Sequence, residues 1–304
     1  MKLSSFYNFL GQSEAQNSNL LLLGSILVGA GLVIGAGAFL AVTKSAAREK
    51  KGIIIIGNPR SLTTALERYF INRGDYKMYH EPIIRHIFSR AVSFVSSPYD
   101  KDFDASKILE QIARESAGQK FLIKELAWSL SDASFLETMA KEVHLVFIIR
   151  SPEQAVVSHE KLEVTNKELA QKLGVDLSFN STINSVNYDH MQAIFMRIKA
   201  VTGKNPILID ADQLANNPEA VIERLCRKLG IDFDKRHLQW ASGEATLWPY
   251  TKDTWQKDVT ASTGFTPLKN AHKLTDLDPQ QQAELGPLIE RNETIYRELL
   301  AYKM

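Results

Sequence analysis

The chain has 304 residues, with 36 lysines and arginines against 35 aspartates and glutamates, for a formal net charge of +1. That balance gives no general electrostatic case for nucleic-acid binding, and the single cysteine, Cys226, excludes an intramolecular disulfide and any multi-cysteine metal site. A hydrophobic share of 44% is ample for a core, and the roughly 250 residues beyond the N-terminal segment suit one α/β domain.

Residues 1–19 read as a polar tail. From Leu20 to Val42 the chain carries no charge, and at about 1.5 Å per residue such a run crosses a bilayer core of about 30 Å. The pattern predicts a transmembrane anchor over 20–43, with a cleaved signal peptide as the alternative. The length of the run, and the few charges ahead of it (Lys2 and Glu14), favour the anchor. A basic juxtamembrane linker over 44–51 follows, with Lys44, Arg48, Lys50 and Lys51. By the positive-inside rule this predicts a single-pass membrane protein whose main domain, 52–304, is cytoplasmic.

Ile53-Ile54-Ile55-Ile56 predicts a strand buried on both faces, as at the centre of a parallel sheet. Gly57-Asn58-Pro59 breaks it. Ser61 and Thr63 are placed to cap the next helix, whose apolar face is Leu66, Tyr69 and Phe70. A buried strand, a polar turn and a helix N-terminus make a place for an anion, because free N–H groups and the helix dipole converge there. Arg60 and the hydroxyls of Ser61, Thr63 and Thr64 add donors. Against the nucleoside-triphosphatase loop G-x-x-x-x-G-K-[ST], Gly57 and Thr64 fit the ends, but Leu62 and Thr63 replace the Gly-Lys pair. The lysine that would reach the outer phosphates is missing.

Pro59-Arg60-Ser61-Leu62-Thr63-Thr64 resembles instead the 5′-phosphosulfate loop of sulfotransferases, with Leu62 where the family usually has glycine. The resemblance implies an α/β, P-loop NTPase-like sulfotransferase fold, a central parallel sheet flanked by helices. It also implies 3′-phosphoadenosine 5′-phosphosulfate (PAPS) as donor.

Asp75 to Pro82 is strand-like and ends in His80-Glu81-Pro82. In a doubly wound sheet the carboxyl ends of neighbouring strands line one crevice, so Glu81, and after it His80, are candidates for the general base. A structural ion pair or a cap is the alternative role. Helices are expected from Ile83 to Ser116, broken at Ser96-Ser97-Pro98, and then a strand from Phe121 to Glu125. Lys124 at its end is a candidate cation for the sulfuryl or bridging oxygens, or simply the solvated end of a strand.

Val143 to Ile149 is a further apolar strand. Arg150 closes it, Ser151-Pro152 opens a helix, and Ser158 falls about two turns into that helix. A cation with a hydroxyl suits an isolated phosphate, whereas a nucleotidase would place a magnesium-binding Asp there. Arg150 and Ser158 have the spacing of the sulfotransferase 3′-phosphate site, which the resemblance implies for them.

Leu162 to Asn184 reads as polar and irregular, Tyr188 to Val201 as an amphipathic helix. Asn205 to Leu214 and the helix from Pro218 to Leu229 resemble late elements of the family and serve the core. Trp240, Trp248, Tyr250 and Trp255 either pack core or wall an acceptor or adenine pocket. Trp255 to Phe265 resembles a loop of a bacterial sulfotransferase branch that shares the Pro-Arg-Ser-Leu-Ser/Thr-Thr and His-Glu-Pro motifs. Ser262, Thr263 and Gly264 are thereby implied to touch the 3′-phosphate or adenine. A last helix is expected over Pro279 to Tyr302.

Together these imply a membrane-anchored enzyme moving a sulfuryl group from PAPS to a hydroxyl or amine of a lipid, glycan or small molecule. Neither a metal nor nucleic acid is called for. The alternatives are a P-loop small-molecule or nucleotide kinase and a non-catalytic, membrane-tethered nucleotide-binding protein.

Overall fold

The computed structural model describes residues 50–91, 95–173, 181–243, 257–267 and 272–304. The isoleucine run forms β1 (Gly52–Gly57), buried at every residue. Strands β3 (Phe121–Leu126) and β4 (Val143–Ile149) pair with it on either side, and β2 (Lys77–His80) and β5 (Ile207–Asp210) form the edges. All pairs are parallel, in the order β2-β3-β1-β4-β5. The chain leaves β1 toward one edge and later returns to its other side, so the turn after β1 stands at the point where the strand order reverses. Ligands bind there in open α/β sheets.

Side chains alternate across a strand, and β1 divides its isoleucines accordingly. Ile54 and Ile56 enter one core layer and Ile53 and Ile55 the other. On the second face lie α1 (Thr63–Arg73), α8 (Ala211–Asn216) and α9 (Pro218–Leu229). The first face is covered by α2 (Pro82–Ala91), α3 (Ala105–Glu115), α4 (Phe135–Met139), α5 (Pro152–Leu173), α7 (Tyr188–Thr202) and α11 (Pro279–Leu300). Two short helices complete the described set, α6 (Thr182–Ser185) and α10 (Lys257–Ala261). At the edge of β5, the Met304 amide donates to Leu208 O at 3.0 Å and Arg224 Nη1 donates to Met304 O at 2.9 Å.

Three expectations are corrected. Helix α5 continues to Leu173 where irregular chain was expected from Leu162. The run is polar but free of Gly and Pro until Gly174 and rich in Glu, Lys, Leu and Gln, all good helix formers. The start of α1 is not capped by Ser61 or Thr63. Leu62 is the N-cap, left-handed at φ 63°, and no side chain caps it. Nor does the single-pass membrane protein with a cytoplasmic domain stand: among the described residues no helix is long and apolar enough to cross a membrane. Helices α5 and α11 have the length, at 22 residues each, but carry charged residues throughout. The expected anchor over 20–43 lies outside the described residues.

Candidate active site

The turn after β1 is held tightly. A Cβ on Gly57 would stand 2.4 Å from Thr63 Cγ2 and 3.1 Å from Ile148 O, so only glycine lets the loop fold back against α1 and β4. Arg60 and Leu62 are both left-handed, at φ 65° and 63°, and Glu81 stands at φ 45°. Among the described residues these are the non-glycine positions with positive φ, and all three belong to this site. Each such conformation costs about 1–3 kcal/mol and persists only where the surroundings enforce it. Alternate left-handed residues let successive amides converge on an anion, and the first N–H groups of α1 point the same way. Ser61 is fully buried and its Oγ makes no hydrogen bond, as is true of the Asn58 side-chain amide.

The loop after β1 and the end of β4 meet. Arg150, 5% exposed, donates from Nη1 to Arg60 O at 2.8 Å and from Nη2 to Gln154 Oε1 at 3.0 Å. Its Nε is buried without a hydrogen bond. Burial presses this guanidinium's pKa down, Asp212 opposes and neighbouring Arg60 adds to the pressure, so an anion between the two arginines is favoured. Tyr188 braces the strand end by donating its hydroxyl to Arg150 O. Arg60 reaches across to donate from Nε to Ser158 Oγ at 3.0 Å, and its Nη2 pairs with Asp258 Oδ2 at 3.0 Å.

A charged cluster lies at the ends of β2 and β3. The register sets His80 beside Lys124. Lys124, only 2% exposed, forms a short ion pair with Glu81 Oε1. Burial pushes the Glu81 carboxyl up, but the Lys124 ammonium and His80 outweigh it and hold it below the usual carboxylate range. His80 Nε2 lies 3.8 Å from Glu81 Oε2, and its Nδ1 lies 2.7 Å from Glu67 Oε2. Glu125 turns inward to accept from the amides of Ile83 and Leu126 at 2.8 and 2.9 Å. Burial and then Glu81 push its pKa up to about 7.

The late loop is tied mainly to its own neighbourhood. Ser262 Oγ donates to Val259 O at 2.7 Å and accepts from Trp240 Nε1 at 3.2 Å. Thr263 O accepts from the Trp240 amide at 3.0 Å, and Gly264 bridges to Gln239. Asp258 on α10, three residues before the helix ends, links the late loop to the loop after β1 through Arg60. Trp240 is buried, whereas Trp248, Tyr250 and Trp255 lie outside the described residues. No group of three or more metal-ligating side chains occurs among the described residues.

The sequence reading missed Glu67 and Asp258. Glu67 carries a faint signal, a carboxylate among Leu66, Tyr69 and Phe70 on a helix face bound for the core. Asp258 carries none.

A family model described as "Sulfotransferase domain" matches residues 51–283. Two curated Arabidopsis thaliana proteins also match. Branched-chain-amino-acid aminotransferase-like protein 1 is 27% identical over 259 residues, 80% of this chain and 40% of its own length. Branched-chain-amino-acid aminotransferase-like protein 2 is 26% identical over 219 residues, 68% of this chain and 35% of its own. The chain thus spans less than half the length of these curated relatives. Among solved structures, mouse sulfotransferase SULT7A1 complexed with PAP aligns at a TM-score of 0.47 and 14% identity, covering 83% of this chain and 88% of that one. A sulfotransferase from Alicyclobacillus acidocaldarius aligns at 0.43 and 13%, covering 83% and 96%.

Proposed function

Because the chain belongs to the sulfotransferase domain family, we propose that it transfers a sulfuryl group from PAPS to a hydroxyl or amine acceptor. One observation carries the donor assignment. Two arginines 90 residues apart are hydrogen-bonded through Arg60 O, with Ser158 on the first and a buried unbonded Nε on the second. In this reading Arg60, Ser61, Thr63, Thr64 and the backbone amides of Arg60, Ser61 and Leu62, which follow Pro59, take the 5′-phosphosulfate. Arg150 and Ser158 take the 3′-phosphate, with Ser262–Gly264 nearby. Cationic groups at both phosphates distinguish the donor from ATP, and Arg150 stands where a kinase would place a metal-binding carboxylate.

The acceptor's oxygen or nitrogen attacks sulfur, and the bond from sulfur to the 5′-phosphate oxygen breaks with its electron pair left on phosphate. Charge builds on that oxygen, where Arg60 and the amides stabilise it. Lys124, paired with Glu81, is the candidate cation for the sulfuryl or bridging oxygens. A base must take the acceptor's proton. Glu81 and His80 share that corner of the crevice. Lys124 holds Glu81 ionised and therefore able to accept a proton, which keeps it the first candidate for the base, with His80 beside it.

Calorimetry of the full chain tests the donor site, with 3′,5′-adenosine diphosphate as ligand and 5′-AMP and ATP–Mg as controls. Selective binding of the 3′,5′-diphosphate is expected. Arg150→Ala should weaken it at least roughly tenfold, the loss of a charged hydrogen bond of about 1.5–3 kcal/mol. Binding of ATP–Mg alone, or no binding, would overturn the proposal.

A further inference from the structure

We propose that Glu125 is a positioning residue of the transfer step: it caps α2 in place of Glu81, which leaves the Glu81 carboxylate to face Lys124 in the crevice. The consequence for turnover rests on the transferase reading above, and the cap rests on geometry alone. Glu81 is the last residue before α2, and the Arg85 amide donates to Glu81 O at 2.8 Å, the first bond of that helix. A residue so placed ordinarily takes an extended backbone, from which its own side chain accepts from the second or third helical amide. Glu81 is instead left-handed at φ 45°, and its Oε1 is paired with Lys124 Nζ. Pro82 has no N–H, so the first amide of the helix that needs a partner is that of Ile83.

Glu125 supplies that partner from the neighbouring strand. Its Oε2 accepts from the Ile83 amide at 2.8 Å and its Oε1 from the Leu126 amide at 2.9 Å. A fully buried carboxylate is costly unless compensated. Two N–H donors and the positive end of a ten-residue helix compensate this one. Successive side chains of a strand point to opposite faces, so β3 serves both partners with two adjacent residues. Lys124 takes Glu81, its Nζ on the carboxylate and its carbonyl accepting the Glu81 amide at 2.8 Å. Glu125 takes the helix on the other face, where Ile83 joins the core layer of Ile54 and Ile56.

Without Glu125, the acceptor nearest in sequence to the Ile83 amide is Glu81 itself. Its carboxylate would be drawn from Lys124 to its own helix, the ordinary N-cap arrangement, and Lys124, 2% exposed, would lose its counter-charge. The Glu81 side chain is 15% exposed, whereas Glu125 is shut away from solvent. In the transfer step the acceptor oxygen bonds to sulfur, and the electron pair of the broken bond leaves on the 5′-phosphate oxygen. The acceptor proton passes to Glu81, and Glu125 exchanges none.

The test is Glu125→Met in the full chain, which keeps the length of the side chain and removes both acceptor oxygens. Crystals of wild type and variant are grown at pH 8, above the value of about 7 to which burial and Glu81 raise Glu125. The Glu81 carboxylate should lie on Lys124 in the wild type and on the Ile83 amide in the variant. Release of 3′,5′-adenosine diphosphate from PAPS, with phenol or water as acceptor, should lose about 10²-fold or more in kcat. Binding of the diphosphate should change less than about twofold, whereas a variant that merely loosens the fold loses both together. A Glu81 still on Lys124 in the variant, or equal losses of kcat and binding, would overturn the proposal. If Glu125→Met does not fold, hydrogen exchange of the wild type decides. The Ile83 amide should then exchange as slowly as the amides of β3, and exchange as fast as an uncapped helix end ends the idea. A wild type that binds PAPS without turning it over would instead sink the transferase reading, leaving the position of Glu81 to be read from the crystals.

Discussion

The Arg60 guanidinium is held on one side by Ser158 and on the other by Asp258, whose side chain is 83% exposed. In the proposed donor site, a carboxylate there would compete with an incoming phosphate for the same cation. Exposed pairs of this kind are worth about 0.2–1 kcal/mol, so Asp258→Asn should tighten 3′,5′-adenosine diphosphate binding by roughly two- to fivefold. Titrations at low and high salt check this, and the gain should shrink as ionic strength rises. Arg60, Ser61 and Arg150 drew notice in the sequence because each follows a strand and precedes a helix, and Ser158 because of its spacing from Arg150. Glu67 did not, since a single carboxylate on a helix has no pattern. It acquires meaning only when β2, on a separate stretch of chain, ends with His80 opposite it. The Glu81–Lys124 pair was half legible: both residues were expected in the crevice, but as separate reagents, and register alone brings them together.

At the scale of elements, the strand–turn–helix from Gly52 to Arg73 depends on close approach. In Gly57→Ala the new methyl meets Thr63 Cγ2 first and the Ile148 carbonyl second. Overpacking of this kind costs about 1–3 kcal/mol. Adding Thr63→Ser, which keeps the hydroxyl but removes the methyl, should restore most of that loss. Urea denaturation of the single and double variants measures the coupling, and strict additivity would refute the contact. The same elements show where sequence patterns reach and stop. Apolar runs located β1, β3 and β4 within a residue or two, because a strand buried on both faces leaves a continuous signal. The end of α5 was missed because its second half has helix-forming composition without an apolar periodicity.

For the molecule as a whole, buried titratable groups set the pH dependence of stability. Burial lifts the Glu163 carboxyl to about 7, partly opposed by Lys167, and Glu125 likewise stands at about 7. Their folded pKa values exceed the ordinary 4.5, so the native state binds the extra protons and stability falls as pH rises from 4.5 toward 7. His159 is lowered to about 3 by burial, then Arg60 and Lys167, and His144 to about 4 by burial and Lys50. There the unfolded state binds the extra protons, so stability rises with pH up to 6.5. Contributions of both signs overlap between 4.5 and 6.5 and offset one another in part. Glu163→Gln removes one descending term. The variant should gain on the wild type as pH climbs through this window, by at most about 3 kcal/mol. Denaturant midpoints at several pH values test it, and a pH-independent difference would count against the shift.

The contact of the Met304 amide with Leu208 O bears on how separate copies of the molecule meet. A parallel sheet has two open edges, and each is a template for pairing with a foreign strand. Along β5 the Met304 amide already occupies a carbonyl that such a strand would seek. Along β2 the edge is four residues long and begins at an exposed lysine, Lys77, whose charge repels a second copy of itself. The sheet therefore offers little purchase for edge-to-edge aggregation.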